Sequence, residues 1–341
     1  MKTLCFDALA EARFAAANSY GGFISDFDEI FNPRCFERIF ILKGGPGTGK
    51  STLLKELYER FSKKVHCEAI YCSSDPFSLD GIILGSNKKI ALIDGTSPHL
   101  TDPYLPGAVE LIVNLGEGFD LVKLREAASD ISNISKRKSE AYSKAYSYLR
   151  LAGEIDKEIK RIYLNSANYF EAENMIDKLS DLSECSFLGK KRISAFCKFG
   201  HIRLPNKTEN KVAISGDGYS EILFMMLLKR SLTEGGRLKY SCPSPLNPSY
   251  TDALYTASGI IYLSNEESDL DTRAIAPSND EAAASLLDMH NRVLDLAKGA
   301  LIKASEEHFA LEEIYTSAMN FEHNDKIREA LSNECQQLLF S

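Results

Sequence analysis

The sequence predicts an α/β protein in which the same fold occurs twice. Each copy has a parallel sheet flanked by helices and is followed by a helical extension. Three observations predict it. An apolar run, a glycine-rich turn and apolar residues at helical spacing follow one another at residues 39–58, and again at residues 212–225. Segments of similar type accompany both turns in the same order. A long stretch without strand patterns then follows each set.

Length and composition limit the class of protein and its partners. The 341 residues are 44% hydrophobic and 26% charged, which is typical of a globular protein with two domains. The formal net charge of −8 argues against a broad nucleic-acid-binding surface. No apolar run approaches the length that a membrane span needs. We therefore expect neither nucleic acid nor a membrane as a partner.

Cysteine usage and the first residues predict the compartment. The eight cysteines are scattered without a CxxC pair, which favours reduced, packed thiols over a disulfide framework or a zinc site. The first residues, MKTLCFDALAEARF, carry acids and lack the apolar core of a signal peptide. We expect a cytoplasmic protein.

Residues 39–54, IFILKGGPGTGKSTLL, contain the pattern G-x-x-x-x-G-K-[ST] of a phosphate-binding loop, or P-loop. A buried strand before it and a helix after it are the context in which this pattern binds phosphate. Its glycines let the backbone wrap an anion with the N–H groups inward, and the helix start adds a positive dipole end. In this first loop, the predicted nucleotide contacts are Gly44, Gly45, Pro46, Gly47, Thr48, Gly49, Lys50, Ser51 and Thr52.

Four side chains are predicted to carry the chemistry beside the first loop. Lys50 would neutralise the β- and γ-phosphates, and the Ser51 hydroxyl would bind Mg²⁺. Asp94 ends the apolar run 90–93, where it would hold Mg²⁺ through a water or simply cap the next turn. His99 is a candidate phosphate sensor or acid/base group, with an ordinary loop histidine as the alternative.

Two further acids follow the predicted strand at residues 68–72, in the segment CSSDPFSLDG. They are Asp75 and Asp80. Ligands of open α/β sheets lie beyond the carboxyl ends of the strands, so either acid could face the nucleotide or an acceptor. Each could equally cap a helix or a turn.

The second loop, Gly216–Ile222, repeats the layout without its phosphate-binding groups. The three replacements are Glu221 for Lys50, Ile222 for Ser51 and Ser264 for Asp94. Reversing one charge at about 4 Å from a phosphate changes the interaction by several kcal/mol. We therefore expect no catalysis by the second copy, and a structural or regulatory role instead.

Other paired segments support an internal duplication. DPFSLDGII from Asp75 faces NPSYTDALY from Asn247, and RFAAANSYGGF from Arg13 faces RISAFCKFGHI from Arg192. IYLNSANYFEAENMIDKL from Ile162 faces IYTSAMNFEHNDKIREAL from Ile314. The predicted domains are an active P-loop domain at 1–120 and a degenerate one at 186–278, followed by helical extensions at 121–185 and 279–341.

The first arm, residues 121–185, and the second arm, residues 279–341, are predicted to form long amphipathic helices. The first arm would fold back near Gly153 or residues 165–168. Such arms could act as lids or contact a protein partner, or simply pack on their own domains. The basic residues of the first arm could reach phosphates or form a solvated face: Lys136, Arg137, Lys138, Lys144 and Arg150.

With GGPGTGKST, SSDPFSLDG and DGTSPH in view, the chain resembles a family of bacterial tandem P-loop proteins described only as ATPases or nucleotide-binding proteins. The resemblance covers most of the chain and is strongest at residues 13–120. It implies that Gly44–Thr52 bind the nucleotide and that Asp94 and His99 are the acid and histidine of the family motif. In that family the second half usually looks more like the first, so this chain departs from a two-site pattern.

These patterns predict Mg²⁺-dependent ATP hydrolysis by the first half. ATP is favoured over GTP because no guanine-reading N-K-x-D motif is suitably placed; NKKI at Asn87 lacks the aspartate. Two alternatives stay open. One is a kinase that phosphorylates a small molecule or nucleotide, with Asp75 or Asp80 as the base. The other is a nucleotide-dependent binding module with little hydrolysis.

Overall fold

The computed structural model describes residues 2–3, 11–179, 183–205, 208, 210–266, 268–276 and 281–341. This description leaves out residues 4–10 of the predicted first domain, which include Cys5. It also leaves out residues 180–182, 279 and 280 of the predicted arms. The fold is α/β, with two six-stranded sheets flanked by helices. None of the helices in the described ranges has an apolar stretch long enough to cross a membrane. The cysteines within these ranges are free thiols.

The chain forms two compact units. The first-loop unit includes Ser25–Ser143 and Ala300–Ser341, and the second-loop unit includes Ala17–Ile24 and Lys144–Gly299. The strands are β1 (Lys2–Thr3), β2 (Glu11–Phe14), β3 (Ala16–Ser19), β4 (Gly22–Ser25), β5 (Arg38–Lys43), β6 (Cys67–Tyr71), β7 (Leu79–Leu84), β8 (Ile90–Asp94), β9 (Glu110–Asn114), β10 (Gly189–Lys190), β11 (Ser194–Cys197), β12 (Gly200–Arg203), β13 (Lys211–Ser215), β14 (Tyr240–Pro243), β15 (Thr251–Tyr255), β16 (Ile260–Leu263) and β17 (Leu270–Asp271). The helices are α1 (Phe27–Ile30), α2 (Lys50–Phe61), α3 (Leu121–Glu126), α4 (Ala128–Ser166), α5 (Tyr169–Asp177), α6 (Ser220–Glu234), α7 (Glu281–Ser317) and α8 (Phe321–Phe340).

The sheet of the first-loop unit has the strand order β2-β6-β7-β8-β5-β9. All neighbours are parallel except β7, which is antiparallel to both β6 and β8. The prediction of a parallel sheet is therefore wrong for this strand. A tight turn returns the chain from β6 to β7, because Cys72 N–H donates to Ser78 O (3.0 Å) and Ser78 N–H to Asp75 O (2.8 Å). A parallel neighbour would need a much longer crossover.

The sheet of the second-loop unit repeats this arrangement strand for strand, in the order β10-β14-β15-β16-β13-β17. Its antiparallel member is β15, so the parallel prediction is wrong here too. Both sheets shift register at the same place, between Ile70 and Tyr71 in β6 and between Cys242 and Pro243 in β14. The shared order, directions and irregularity are consistent with a duplicated α/β fold.

The helix that follows each loop packs the same face on its sheet. The corresponding buried residues are Leu53, Leu54, Leu57 and Phe61 in α2, and Phe224, Met225, Leu228 and Leu232 in α6. An apolar stripe at this spacing is what drives an amphipathic helix onto a sheet. The correspondence also fixes the register of the two helices and places Glu221 where Lys50 stands.

The arms are helical, and the division between the units falls inside α4 and α7. α4 ends at Ser166, within the predicted turn at 165–168, whereas Gly153, the other predicted turn, lies inside the helix. Residues 169–177 of the first arm share a core with α6 in the second-loop unit. In the first-loop unit, α8 of the second arm packs along α2, where Arg60 and Glu329 form a two-bonded ion pair (2.8 and 3.1 Å).

Candidate functional site

The first loop joins β5 to α2 through glycines in conformations that other residues rarely adopt. Gly47 and Gly49 have φ angles of +70° and +82°, in the left-handed region. A Cβ at Gly47 would lie 2.5 Å from Thr316 Oγ1 and 2.7 Å from the carbonyl oxygen of Glu312. Position 47 therefore requires glycine for both its backbone and its close approach to the end of α7.

The backbone N–H groups of the first loop form a row of unused donors. Within the described ranges, no acceptor receives a hydrogen bond from the N–H groups of Gly45 or of residues 47–52. The first bond of the new helix runs from Leu53 N–H to Gly49 O, at 2.9 Å. Unused donors at a helix start, next to glycines, make a concave site that attracts anions.

Lys50 lies beside this row of donors. Its Nζ donates to the carbonyl oxygens of Gly44 (3.0 Å) and Gly45 (2.9 Å), and is 3.7 Å from Asp94 Oδ2. Burial lowers the pKa of Lys50, while the negative charges of Asp94 and Glu312 act in the opposite direction. The ammonium group is thus held at the loop without a tight ion pair of its own.

Asp94 caps the turn after β8 with one carboxylate oxygen and faces Lys50 with the other. Its Oδ1 accepts hydrogen bonds from Thr96 N–H (2.9 Å) and Thr96 Oγ1 (2.5 Å), so this oxygen caps the turn after β8. Its other oxygen faces Lys50. The cap holds the carboxylate in a fixed orientation toward the first loop.

Ser51 links the loop helix to β7, because its Oγ accepts a hydrogen bond from Leu79 N–H at 2.9 Å. The hydroxyl keeps a further lone pair for a ligand. No group of three or more His, Cys, Asp or Glu side chains in the described ranges could hold a metal ion. A hydroxyl and a carboxylate completed by phosphate and water oxygens are a hard-oxygen set, which suits Mg²⁺.

Asp80 and His99 form a buried pair next to these groups. His99 Nε2 is 3.2 Å from Asp80 Oδ2, and their side chains are 5% and 10% exposed. The His99 ring also stacks on Phe27, with centroids 4.0 Å apart. Asp80 lies within β7, the strand that follows the turn after β6. His99 is therefore a packed partner of Asp80 and not an exposed loop histidine.

Two features of the first arm extend the sequence analysis. Tyr142 was not predicted to matter, and the basic run was left with two interpretations. Burial raises the pKa of Tyr142 in α4, and its neighbour Ser74 acts to lower it. Asp75, in the same turn, accepts from Ser78 Oγ at 3.0 Å and so acts as a turn cap. In the basic run, Arg137 pairs with Glu307 (2.8 Å), while Lys138 is half-buried. Burial lowers the pKa of Lys138, and neighbouring Glu312 acts to raise it.

The second arm touches the first loop directly. Asn324 Nδ2 donates to Thr48 O at 2.7 Å, and Thr316 Oγ1 donates to Gly47 O at 3.4 Å. A Cβ on Gly45 would lie 3.4 Å from Cε1 of Tyr315. Sequence reasoning missed these residues, although the pairing of the segments that begin at Ile162 and Ile314 was a signal for them.

The second loop uses its own carboxylates where the first loop has unused donors. Asp217 Oδ1 accepts from the N–H groups of Tyr219 (3.1 Å) and Ser220 (2.8 Å). Glu221 Oε2 accepts from Gly218 N–H at 3.0 Å. The N–H of Asp217 itself donates to Ser220 Oγ, at 3.3 Å. The anion site of this loop is therefore filled from within.

The pKa values of the two carboxylates of the second loop shift in opposite directions. Burial acts to raise the pKa of Asp217, but hydrogen bonds from the Tyr163 hydroxyl (2.6 Å) and from the N–H groups of Ser220 and Tyr219 lower it overall. Burial raises the pKa of Glu221, and the charge of Asp217 adds to this. Asp217 is thus the more acidic of the two carboxylates.

The predicted replacement of Asp94 lies at the end of the corresponding strand. Ser264 directly follows β16, and its N–H donates to Ile214 O at 2.8 Å. Neither Ser264 nor Leu263, the last residue of β16, is an acid. The second copy therefore has no carboxylate at this place.

Comparisons with protein-family models, with curated proteins and with solved structures found no match. The family resemblance drawn from the motifs stays a prediction. What the first loop can do chemically follows from its donors, its lysine and the acids beside them.

Proposed function

We propose that the first loop binds the phosphates of ATP and that the chain hydrolyses ATP in the cytoplasm with Mg²⁺. One observation carries the proposal. The N–H groups of the first loop have no acceptor in the described part of the chain, whereas those of the second loop bind Asp217 and Glu221. A loop whose matched copy is occupied by carboxylates is suited to an anion from outside the chain.

The residues around the first loop would have different roles in binding and hydrolysing ATP. The loop N–H groups would hold the phosphate chain, and Lys50 would exchange its two carbonyl contacts for phosphate oxygens as negative charge develops. Ser51 and Asp94 would hold Mg²⁺, which neutralises phosphate charge when bound. The Asp94 cap keeps its carboxylate aimed at Lys50 before the ligand arrives.

A kinase that passes the terminal phosphate to a small acceptor is the second candidate. The observation that favours it is a cavity of about 350 Å³ in the first-loop unit, lined by Phe27, Arg34, Ile93, Thr101, Tyr104 and Glu110. Phe27 in its wall is the ring on which His99 stacks, and His99 binds Asp80. Asp75 or Asp80 would then be the base toward an acceptor hydroxyl.

The test is ATP binding and phosphate release with Mg²⁺, in the wild type and in Lys50→Ala. Lys50→Ala should lower turnover about 100-fold, because one positive group that stabilises the developing phosphate charge is lost. Glu221→Ala is the matched control at the corresponding place of α6, and it should leave phosphate release unchanged.

Each other outcome has its own meaning. Equal turnover in the wild type and Lys50→Ala would overturn the proposal. Strong stimulation by one metabolite, with little release to water, would favour the kinase. Tight binding of both ATP and ADP with turnover below ~0.01 s⁻¹ would favour a binding module whose arms contact a protein partner.

A further inference from the structure

Tyr163 and Tyr315 occupy corresponding places in the two units. Each lies in the last turn of its long helix, α4 or α7, and each is followed by an asparagine that caps the next helix. The N–H of Asn168 donates to Ile275 O (3.0 Å), and the N–H of Asn320 donates to Gly118 O (2.8 Å). Both acceptors belong to the 3-10 turn that follows the last strand of their sheet.

Gly45 and Asp217 lie in corresponding turns, each between the strand and the helix of its loop. Gly45 precedes Lys50 by five residues, and Asp217 precedes Glu221, the corresponding residue of α6, by four. In the second-loop unit, the Tyr163 hydroxyl donates to Asp217 Oδ2 at 2.6 Å. In the first-loop unit, the ring of Tyr315 lies against Gly45, which has no side chain to offer.

The Tyr315 hydroxyl is an unused donor beside other unused donors. Within the described ranges it makes no hydrogen bond, and neither do the N–H groups at the start of α2. In the second-loop unit, one carboxylate of Asp217 satisfies both kinds of donor, the helix-start N–H groups and the tyrosine hydroxyl. That carboxylate shows where an oxygen anion sits when both donors are used.

We propose that Tyr315 of the second arm donates a hydrogen bond from its hydroxyl to a phosphate oxygen of the nucleotide in the first loop. This inference rests on the proposed function of that loop. The phosphate would take the place that the Asp217 carboxylate takes in the second loop, at the helix start. The second arm thus supplies a direct contact to the ligand of the first loop.

The experiment measures the affinity of Tyr315→Phe for ATP and for inorganic tripolyphosphate by calorimetry, each with Mg²⁺. Phenylalanine keeps the ring packing on Phe119, whose centroid is 5.5 Å away, and removes only the hydroxyl. Both affinities should fall about 10-fold, as expected for a lost hydrogen bond to a charged group. The melting temperature without ligand should stay unchanged, because the hydroxyl has no acceptor in the described protein.

Tyr163→Phe is the matched control. It should leave both affinities unchanged and lower the melting temperature, because it removes a donor from Asp217. If Tyr315→Phe also lowers the melting temperature, Phe119→Leu becomes the comparison, since it loosens the same packing and keeps the hydroxyl. Equal losses of affinity in these two variants would overturn the inference.

The remaining outcomes separate the inference from the proposed function. Unchanged affinities in Tyr315→Phe, with binding lost in Lys50→Ala, would overturn the role of Tyr315 and leave the ATP site standing. A loss for ATP but not for tripolyphosphate would place the contact on the nucleoside and overturn the phosphate contact. No ATP or tripolyphosphate binding by the wild type would overturn both proposals.

Discussion

The first and second loops begin after corresponding strands and lead into corresponding helices. Their backbone N–H donors differ in whether they have an acceptor within the chain. In the first, the N–H groups of Gly45 and of residues 47–52 have no acceptor in the described protein, and Lys50 stands beside them. In the second, Asp217 and Glu221 accept from those groups. Both helix starts present N–H donors, and what differs is whether the chain itself supplies a carboxylate that accepts from them.

The difference contrasts a loop whose donors a carboxylate of the chain satisfies with a loop whose donors the proposed ligand would satisfy. A side-chain carboxylate at the start of a helix stabilises the fold at all times, whereas unused donors gain their partners only with a ligand. Glu221 stands where the first loop has Lys50, which agrees with this difference. A loop that already holds a carboxylate gains nothing from a lysine that would attract phosphate. Residues around a binding site commonly give up stability in this way.

Gly45→Asp should convert the first loop to the arrangement of the second, and it is the largest expected effect. The new carboxylate would lie at the helix start and against Tyr315, where a Cβ has room at 3.4 Å. It would compete with phosphate and repel it, so ATP affinity should fall more than 100-fold. Calorimetry measures this, with Gly45→Ala as the uncharged control. An affinity within tenfold of that control would contradict the comparison.

Asp217→Ala should empty the second loop. The change removes the acceptor of two N–H groups and of the Tyr163 hydroxyl, so the free energy of unfolding should fall by about 3 kcal/mol. Chemical denaturation measures it. Asp217→Asn, which can still cap the helix but lacks the charge, should lose less. A loss below about 0.5 kcal/mol in Asp217→Ala would show that these bonds do not stabilise the loop.

Glu221→Gln tests how stability depends on the protonation of the Glu221 carboxyl, and it has the smallest expected effect. Because burial raises the folded-state pKa of Glu221, the folded chain takes up a proton at a higher pH than the unfolded chain. The wild type should therefore gain stability relative to Glu221→Gln as the pH falls through that pKa. The gain should level off below the unfolded value of about 4.3. Melting temperatures between pH 8 and pH 4 measure this, and parallel curves for the two proteins would be evidence against it.

Much of the fold was predictable because its signals are local. Apolar runs identified β5, β8 and β13, and the glycine pattern identified the loop that follows β5. The antiparallel strands β7 and β15 were not recognised, because a short strand after a tight turn resembles a loop segment with acids. The burial of His99 could not be predicted for a related reason, since it depends on Phe27 and Asp80, which are distant in the sequence.

The sequence by itself determined the α/β class, the two loops, and the loss of the lysine from the second. It did so through spacing, charge and glycine content, which act over a few residues. Only the tertiary structure decided that Asp217 fills the second loop, that Asp94 both caps a turn and faces Lys50, and that Tyr315 lies at Gly45. Tyr315 and Gly45 are brought together by packing between distant parts of the chain, and such contacts leave no periodicity in the sequence to read.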